Sequence, residues 1–97
     1  MIVSFRDQGS ADLFEGVDTK AARRRLPSAL HHVAKRRLDN LDTAASLKDL
    51  AAIPGNELHP LKRDRAGQHA IRINDTYRIC FVWTEQGPAE VEVTDHH

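Results

Sequence analysis

The sequence predicts an α+β fold in two layers, with N-terminal helices packed on an antiparallel β-sheet. Apolar residues recur at spacings of three and four in the first half of the chain, and alternate with polar residues after Asn56. The chain has 97 residues, of which 40% are hydrophobic and 29% are charged, which suits one modest core. We therefore expect a single domain covering residues 1–97.

The first half of the chain is expected to open with a strand and continue as helices. The segment 2–5 is β-branched and aromatic, which is typical of a strand. Ser10 is expected to cap a short helix that Gly16 ends, and the polar stretch 17–19 separates this helix from the next.

A longer helix is expected from Pro27 and Ser28, because proline is tolerated in a first helical turn. Its apolar stripe consists of Leu30, Val33, Ala34, Leu38 and Leu41. Segment 42–50 is expected to add a further turn or two, and proline and glycine then break the chain at 53–56.

The second half has the alternation of an antiparallel meander. Pro60 restricts the segment around it to an edge strand, and a charged loop follows at 62–67. Strands at 69–73 and 77–83 are expected to form the central hairpin, with the last strand at 90–95 after a turn at 86–88. The core face of the hairpin is expected to carry Tyr77, Ile79, Phe81 and Trp83, and the opposite face Arg72, Arg78, Cys80 and Val82.

Composition excludes several classes of protein. Fourteen basic and fourteen acidic residues give a net charge of zero, which argues against nucleic-acid binding by bulk electrostatics alone. We expect a cytoplasmic protein without membrane association, because the chain has neither a long apolar stretch nor a signal-like N-terminus. The lone Cys80 and the absence of paired Cys/His spacing predict no internal disulfide, no metal site and no cofactor.

The charges are unevenly distributed along the chain. Segment 19–38 has seven basic residues and no acidic one, and segment 59–78 has five basic residues against two acidic ones. A fold that joins these two segments would display a positive face suited to RNA or to an acidic protein partner. The alternative, that the charges lie on solvated helix faces, fits the same pattern.

The candidate chemistry is a constellation of residues rather than a motif, because the sequence has no glycine-rich phosphate loop, HExxH helix or GxSxG elbow. Cleavage of RNA without a metal needs proton transfer to and from oxygen and cations that stabilise the phosphate. His96 or His97 could transfer the proton, with Asp95 orienting an imidazole. Lys62 and Arg78 could supply the positive charge. Equally, the two histidines could be a frayed tail, and Arg72 and Arg78 could pair with Glu90 or Glu92 across the sheet.

Seven sequence segments occur in order at 2–7 with 13–16, 36–42, 54–56, 58–62 (Leu-His-Pro-Leu-Lys), 71–75, 77–83 and 91–97, the last ending in Asp-His-His. Together they resemble the HigB branch of the RelE/ParE toxins. The resemblance implies a microbial RNase-like fold and a ribosome-dependent mRNA endoribonuclease. It also implies a helix-turn-helix antitoxin of the HigA type as partner, with operator DNA contacted only through that antitoxin.

The same resemblance assigns site residues. The family's active-site lysine falls on Lys62, its strand arginine on Arg78, and its terminal Asp-Tyr-His on Asp95, His96 and His97. His59 is expected in the pocket, and the substrate-contacting residues are expected to be His59, Arg63, Arg65 and Arg72. The chain departs from the family where His96 replaces a common tyrosine and where Arg63 replaces a frequent glycine.

Two other functions remain open from the sequence. One is a ParE-like toxin that poisons DNA gyrase, which the proton-transfer groups disfavour. The other is an inactive domain that only binds the antitoxin and acts as a corepressor.

Overall fold

Helices from the first half of the chain cover one face of an antiparallel sheet built from the second half. The computed structural model describes residues 1–95, so the two terminal histidines lie outside the described residues. The helices are α1 (Gln8–Glu15), α2 (Lys20–Arg25), α3 (His31–Thr43) and α4 (Leu47–Ala51), with short 3-10 helices at Ser28–Leu30 and Arg63–Arg65. The strands are β1 (His59–Pro60), β2 (His69–Arg72), β3 (Tyr77–Thr84) and β4 (Gly87–Asp95), adjacent in that order. The predicted two-layer α+β fold is confirmed.

The first helix begins earlier than the sequence indicated, because Asp7 and not Ser10 is its N-cap. Asp7 is extended, and its carboxylate accepts a hydrogen bond from the Ser10 backbone N–H at 2.8 Å. Ser10 is buried, and its hydroxyl accepts a bond from the Val93 N–H at 2.9 Å, which joins α1 to β4. Gly16 ends the helix as predicted, with a left-handed φ of 76°.

The predicted helix start at Pro27–Ser28 is a 3-10 turn, and α3 proper begins at His31. Pro27 is extended, with ψ of 142°, so the first turn forms only after it. The predicted stripe is confirmed, since Ala34, Leu38 and Leu41 are fully buried.

The predicted N-terminal strand reduces to one parallel bridge, between Phe5 and Val91. Around it, Val3 N–H donates to the Pro88 oxygen at 2.8 Å, so the segment lies along the edge of β4. A longer ladder is interrupted by a bulge in β4, where Glu90 has a φ of 51° and the register shifts.

The register of the sheet separates a core face from an outer face. Ile71, Ile79 and Val93 are directly opposed and fully buried against the helices. Phe81 is also buried, as predicted, whereas Tyr77 and Trp83 at the strand ends are only half-buried. The last strand starts at Gly87 rather than at residue 90, because the tight turn involves residues 85–86. No helix among residues 1–95 is long and apolar enough to cross a membrane.

Candidate functional site

An open cleft of about 290 Å³ lies at the end of the β2–β3 hairpin, on the outer face of the sheet. It is lined by Glu57, His59, Arg72, Asn74, Asp75, Tyr77 and Arg78. The cleft brings together three of the residues that the sequence nominated, His59, Arg72 and Arg78. The other lining residues were not nominated.

The two cleft arginines leave the same face of adjacent strands, as the alternation predicts. Arg72 is directly opposite Arg78 in the ladder. The Arg72 Nε lies 3.1 Å from a Glu57 carboxylate oxygen, and its guanidinium also pairs with Asp75. These carboxylates, rather than Glu90 or Glu92, are the partners of Arg72. Because the Arg72 side chain is still 38% exposed, it can exchange a carboxylate for an incoming anion.

His59 is an exposed residue of β1 whose tautomer the structure fixes. Its Nδ1 lies 2.9 Å from the Glu57 backbone oxygen. A carbonyl oxygen can only accept, so Nδ1 carries the proton and donates it. In the neutral ring Nε2 is then the acceptor, and it is the nitrogen able to take a proton from a ligand in the cleft.

A buried amide holds the cleft wall in place. Asn56 is fully buried; its Oδ1 accepts from Arg37 Nη1 at 2.6 Å, and its Nδ2 donates to the Leu50 oxygen at 3.1 Å. Its backbone oxygen accepts the Arg72 N–H at 2.7 Å. Asn56 therefore connects α3, α4 and β2 immediately before Glu57 turns the chain with a φ of 47°. Sequence reasoning recognised only a loop here, although an asparagine after Pro-Gly was the available signal.

The carboxyl end of β4 runs beside the cleft. Asp95 is the register partner of Tyr77, and Thr94 is the partner of Arg78. Asp95 also lines a second cleft of about 190 Å³, together with Arg24, Arg25, Tyr77 and Thr94. Tyr77 borders both clefts, a position that the core assignment of this residue missed. The predictions for His96 and His97 lie outside the described residues.

The loop before β2 carries the remaining nominated residues, and they do not line either cleft. Lys62 and Arg63 are exposed, and Arg63 has a left-handed φ of 57°. Arg65 lies on the outer sheet face instead, where its Nη1 donates to Glu92 Oε1 at 2.9 Å and to Gln68 at 3.1 Å. Arg65 is thus committed to a carboxylate in this structure.

Glu92 and Cys80 share that outer face. Burial acts to raise the pKa of Glu92, but the hydrogen bond from Arg65 and the charges of Arg65, Arg25 and Arg6 outweigh it, so the pKa is lowered. Burial raises the pKa of the Cys80 thiol, against the nearby Arg78 and Arg65 charges. A buried thiol kept protonated in this way is a poor nucleophile.

Among residues 1–95, no group of three His, Cys, Asp or Glu side chains is arranged to hold a metal ion. The arginines of the cleft can bind a phosphate, and its imidazole can transfer a proton.

Comparison with known proteins decides the family. The HigB-like toxin family, described as the RelE-like toxin of type II toxin-antitoxin system HigB, matches residues 3–97. The chain belongs to this family. The resemblance inferred from the sequence segments is thereby confirmed.

Individual relatives agree with the family assignment. Toxin HigB-1 of Vibrio cholerae is 33% identical over 85 residues, which cover 88% of this chain and 86% of the relative. An uncharacterized protein of Haemophilus influenzae is 30% identical over 77 residues, covering 79% of this chain and 73% of the relative. In the solved YoeB-YefM complex from Staphylococcus aureus, a chain aligns with a TM-score of 0.61 over 100% of this chain and 99% of its own length. At 11% identity, that similarity shows a common fold.

Proposed function

We propose that this HigB-like toxin is an endoribonuclease that cleaves messenger RNA on the ribosome without a metal ion. The observation that carries the proposal is the cleft of about 290 Å³ in which an imidazole faces a directly opposed pair of arginines. A phosphodiester needs cations on its non-bridging oxygens and a proton acceptor beside the attacking hydroxyl. The described residues supply both in one cleft.

The arginines would bind the scissile phosphate. Arg78 and Arg72 present planar guanidinium donors from adjacent strands, which suits two oxygens of one phosphate. As the 2′-oxygen attacks phosphorus, a second negative charge develops, and the same donors stabilise it. Lys62, on the loop before β2, adds a further cation in this proposal.

Two imidazoles would share the proton transfers, one as base and one as acid. His59 Nε2 accepts the 2′-hydroxyl proton, the 2′-oxygen bonds to phosphorus, and the bond from phosphorus to the 5′-oxygen breaks. The imidazolium of His97 or His96 gives the leaving oxygen its proton, and Asp95 orients that ring. The products are a 2′,3′-cyclic phosphate and a 5′-hydroxyl. The pairing of Asp95 with Tyr77 supports this role, because it brings the end of β4 beside the cleft.

The charge pattern supports dependence on the ribosome. The chain has a net charge of zero, and carboxylates within 4 Å already compensate Arg25, Arg65 and Arg72. Naked RNA is therefore a weak ligand, whereas a ribosome that holds the codon in place removes most of the entropic cost of binding.

The proposed setting of the reaction is the cytoplasm. A helix-turn-helix antitoxin of the HigA type is the proposed partner that holds the toxin inactive. Operator DNA would be contacted only through that antitoxin.

The direct test compares cleavage of one messenger, naked and bound to ribosomes, by the toxin freed from its antitoxin. We expect rapid cleavage only on ribosomes, with cyclic phosphate ends, at a rate unchanged when the toxin alone is treated with EDTA and freed of it before it is added. Arg78→Gln and His97→Ala should each abolish it. Arg23→Gln is the matched control, because Arg23 is an exposed arginine paired with Asp18 at 3.0 Å on another surface.

Other outcomes identify other functions. Equal cleavage of naked and ribosome-bound messenger would contradict ribosome dependence. Growth arrest with intact RNA and trapped gyrase on DNA would support the ParE-like alternative. Antitoxin binding without growth arrest would indicate an inactive corepressor.

A further inference from the structure

Glu92 is the centre of an ion-pair network outside the cleft. Its side chain is only 13% exposed, and each carboxylate oxygen accepts from a different arginine at 2.9 Å. Arg25 reaches it from α2 and also donates Nε to the Val93 oxygen at 3.0 Å. Arg65 reaches it from the loop before β2. The two basic segments of the sequence thus meet on one buried carboxylate.

Two small residues lie between the loop that carries Arg65 and Glu92 on the outer face of the sheet. Ala70, Cys80 and Glu92 are register partners on β2, β3 and β4, all on the outer face. Adjacent strands lie about 4.8 Å apart, so Glu92 is about two strand spacings from β2, which an extended arginine side chain can span. Ala70 and Cys80 have no exposed surface although they face outward, and the Arg65 charge acts on the Cys80 thiol. The Arg65 guanidinium, bonded to Glu92, thus lies on the outer face near Cys80, where the charge of Arg78 also acts.

Arg65 is also tied to Lys62 through one backbone turn. The loop is closed by the Leu61 N–H bond to the Gln68 oxygen at 2.8 Å. Within it, the Arg65 N–H donates to the Lys62 oxygen at 3.2 Å. Arg63, between them, has a φ of 57°, which is an unfavourable conformation for arginine. The short 3-10 turn Arg63–Arg65 thus begins at a strained residue, and the Arg65 bond to Glu92 anchors its other end.

We propose that Arg65 and Glu92 form a clamp that positions Lys62 for the reaction. This proposal rests on the proposed function, in which Lys62 supplies a cation to the phosphate. Arg65 is a positioning residue here, because its guanidinium bonds Glu92 and Gln68 and does not line the cleft in which the phosphate is proposed to bind. Arg25 secures the other oxygen of Glu92 and so fixes the carboxylate.

The main test is a mutant cycle measured as kcat and KM on ribosome-bound messenger. Arg65→Ala and Glu92→Ala should each lower kcat by about tenfold to a hundredfold with little change in KM, since a displacement near 1 Å costs rate and not affinity. The double variant should be no worse than either single one. In a Lys62→Ala background, Arg65→Ala should have almost no further effect. Arg23→Ala, which breaks the ion pair with Asp18, is the matched control and should leave kcat unchanged.

Alkylation of Cys80 gives an independent readout of the clamp. Because Cys80 is the single cysteine and is the buried register partner of Glu92, its labelling by a thiol reagent in the folded protein should speed up in Arg65→Ala and Glu92→Ala. Arg65→Lys should restore part of the protection and part of kcat. If an alanine variant fails to fold, Arg65→Lys and the isosteric Glu92→Gln take its place in both measurements.

The kcat measurements distinguish failure of the Arg65–Glu92 clamp from failure of the catalytic role proposed for Lys62. An unchanged kcat in Arg65→Ala, or an equal loss with and without Lys62, would overturn the clamp alone. Full activity of Lys62→Ala would overturn both the catalytic role of Lys62 and the clamp that serves it.

Discussion

Arg72 and Arg78 lie directly opposite each other on β2 and β3, with both guanidinium groups on the outer face of the sheet. Like charges at opposed positions destabilise an antiparallel pair. Glu57 and Asp75 compensate Arg72, and a phosphate between the two arginines would do the same. A phosphodiester held between the two arginines would add a counter-charge that both guanidinium groups share.

Anion binding should stabilise the fold through this pair. We expect an uncleavable 2′-deoxy oligonucleotide to raise the melting temperature. At a concentration a hundredfold above its Kd, it should add about 2.7 kcal/mol to the free energy of unfolding. Arg78→Gln should remove the shift, and Arg23→Gln should retain it. Differential scanning calorimetry across a titration measures both, and an equal shift in the two variants would contradict a cleft site.

His59 should be required for turnover but not for folding. His59→Ala is expected to lower kcat by about 10²- to 10⁴-fold, the usual contribution of a proton-transfer group. Its effect on the melting temperature should be small, because the side chain is exposed. His32→Ala, at an exposed helical histidine, is the control for both measurements. A His59 variant with normal kcat would exclude the proposed proton acceptor.

The sequence predicted the elements whose pattern is local. Alternation in 77–83 was enough to assign Ile79 to the core and Arg78 to the opposite face, and the stripe of α3 was predicted in the same way. Contacts that depend on register could not be predicted. Arg65 meets Glu92 only because Ala70, Cys80 and Glu92 align across three strands, and no local pattern indicates that alignment. The parallel bridge from Phe5 to Val91 likewise depends on a bulge in a distant strand.

Asn56 should be one of the most sensitive positions for stability. Asn56→Ala removes two side-chain hydrogen bonds of a fully buried residue, one to the Leu50 oxygen and one from Arg37 Nη1, at a cost of about 2 kcal/mol or more. Urea unfolding measures the change. Activity should fall with it, because these side-chain bonds hold the segment whose backbone oxygen accepts the Arg72 N–H. A loss within about 0.5 kcal/mol, the range of ordinary surface substitutions, would contradict this role.

Arg63 should be replaceable by glycine with a gain in stability. Its φ of 57° destabilises the folded state by about 1–2 kcal/mol for an L-residue. Glycine avoids this strain, but its greater conformational entropy stabilises the unfolded state by about 0.5–1 kcal/mol. We expect Arg63→Gly to raise the free energy of unfolding by about 0.5–1 kcal/mol. The comparison variant is Arg36→Gly within α3, which should lower it by about 1 kcal/mol. If neither variant is more stable than the parent protein, or if both are, the backbone of Arg63 is not strained.

The pH dependence of stability should report on Glu92. Its folded pKa is lowered from the ordinary value of 4.5, because the Arg65 bond and the charges of Arg65, Arg25 and Arg6 together outweigh burial. A lowered folded pKa means that the unfolded chain binds the proton more tightly, so the stabilisation is complete above pH 4.5. It is lost as the pH falls below that value through the folded pKa. Glu92→Gln lacks this titration and should be less stable than the parent protein near neutrality by about 2 kcal/mol.

Urea unfolding of both proteins from neutral to acidic pH provides the measurement. The gap between them should be constant down to the unfolded pKa and should then close as Glu92 is protonated. Glu85→Gln, at an exposed glutamate in the β3–β4 turn, is the matched control. A gap that persists or widens in acid would show that the carboxylate charge is not what holds Arg25 and Arg65. If the gap closes, the clamp should release over the same pH range, and faster labelling of Cys80 there would connect the two effects.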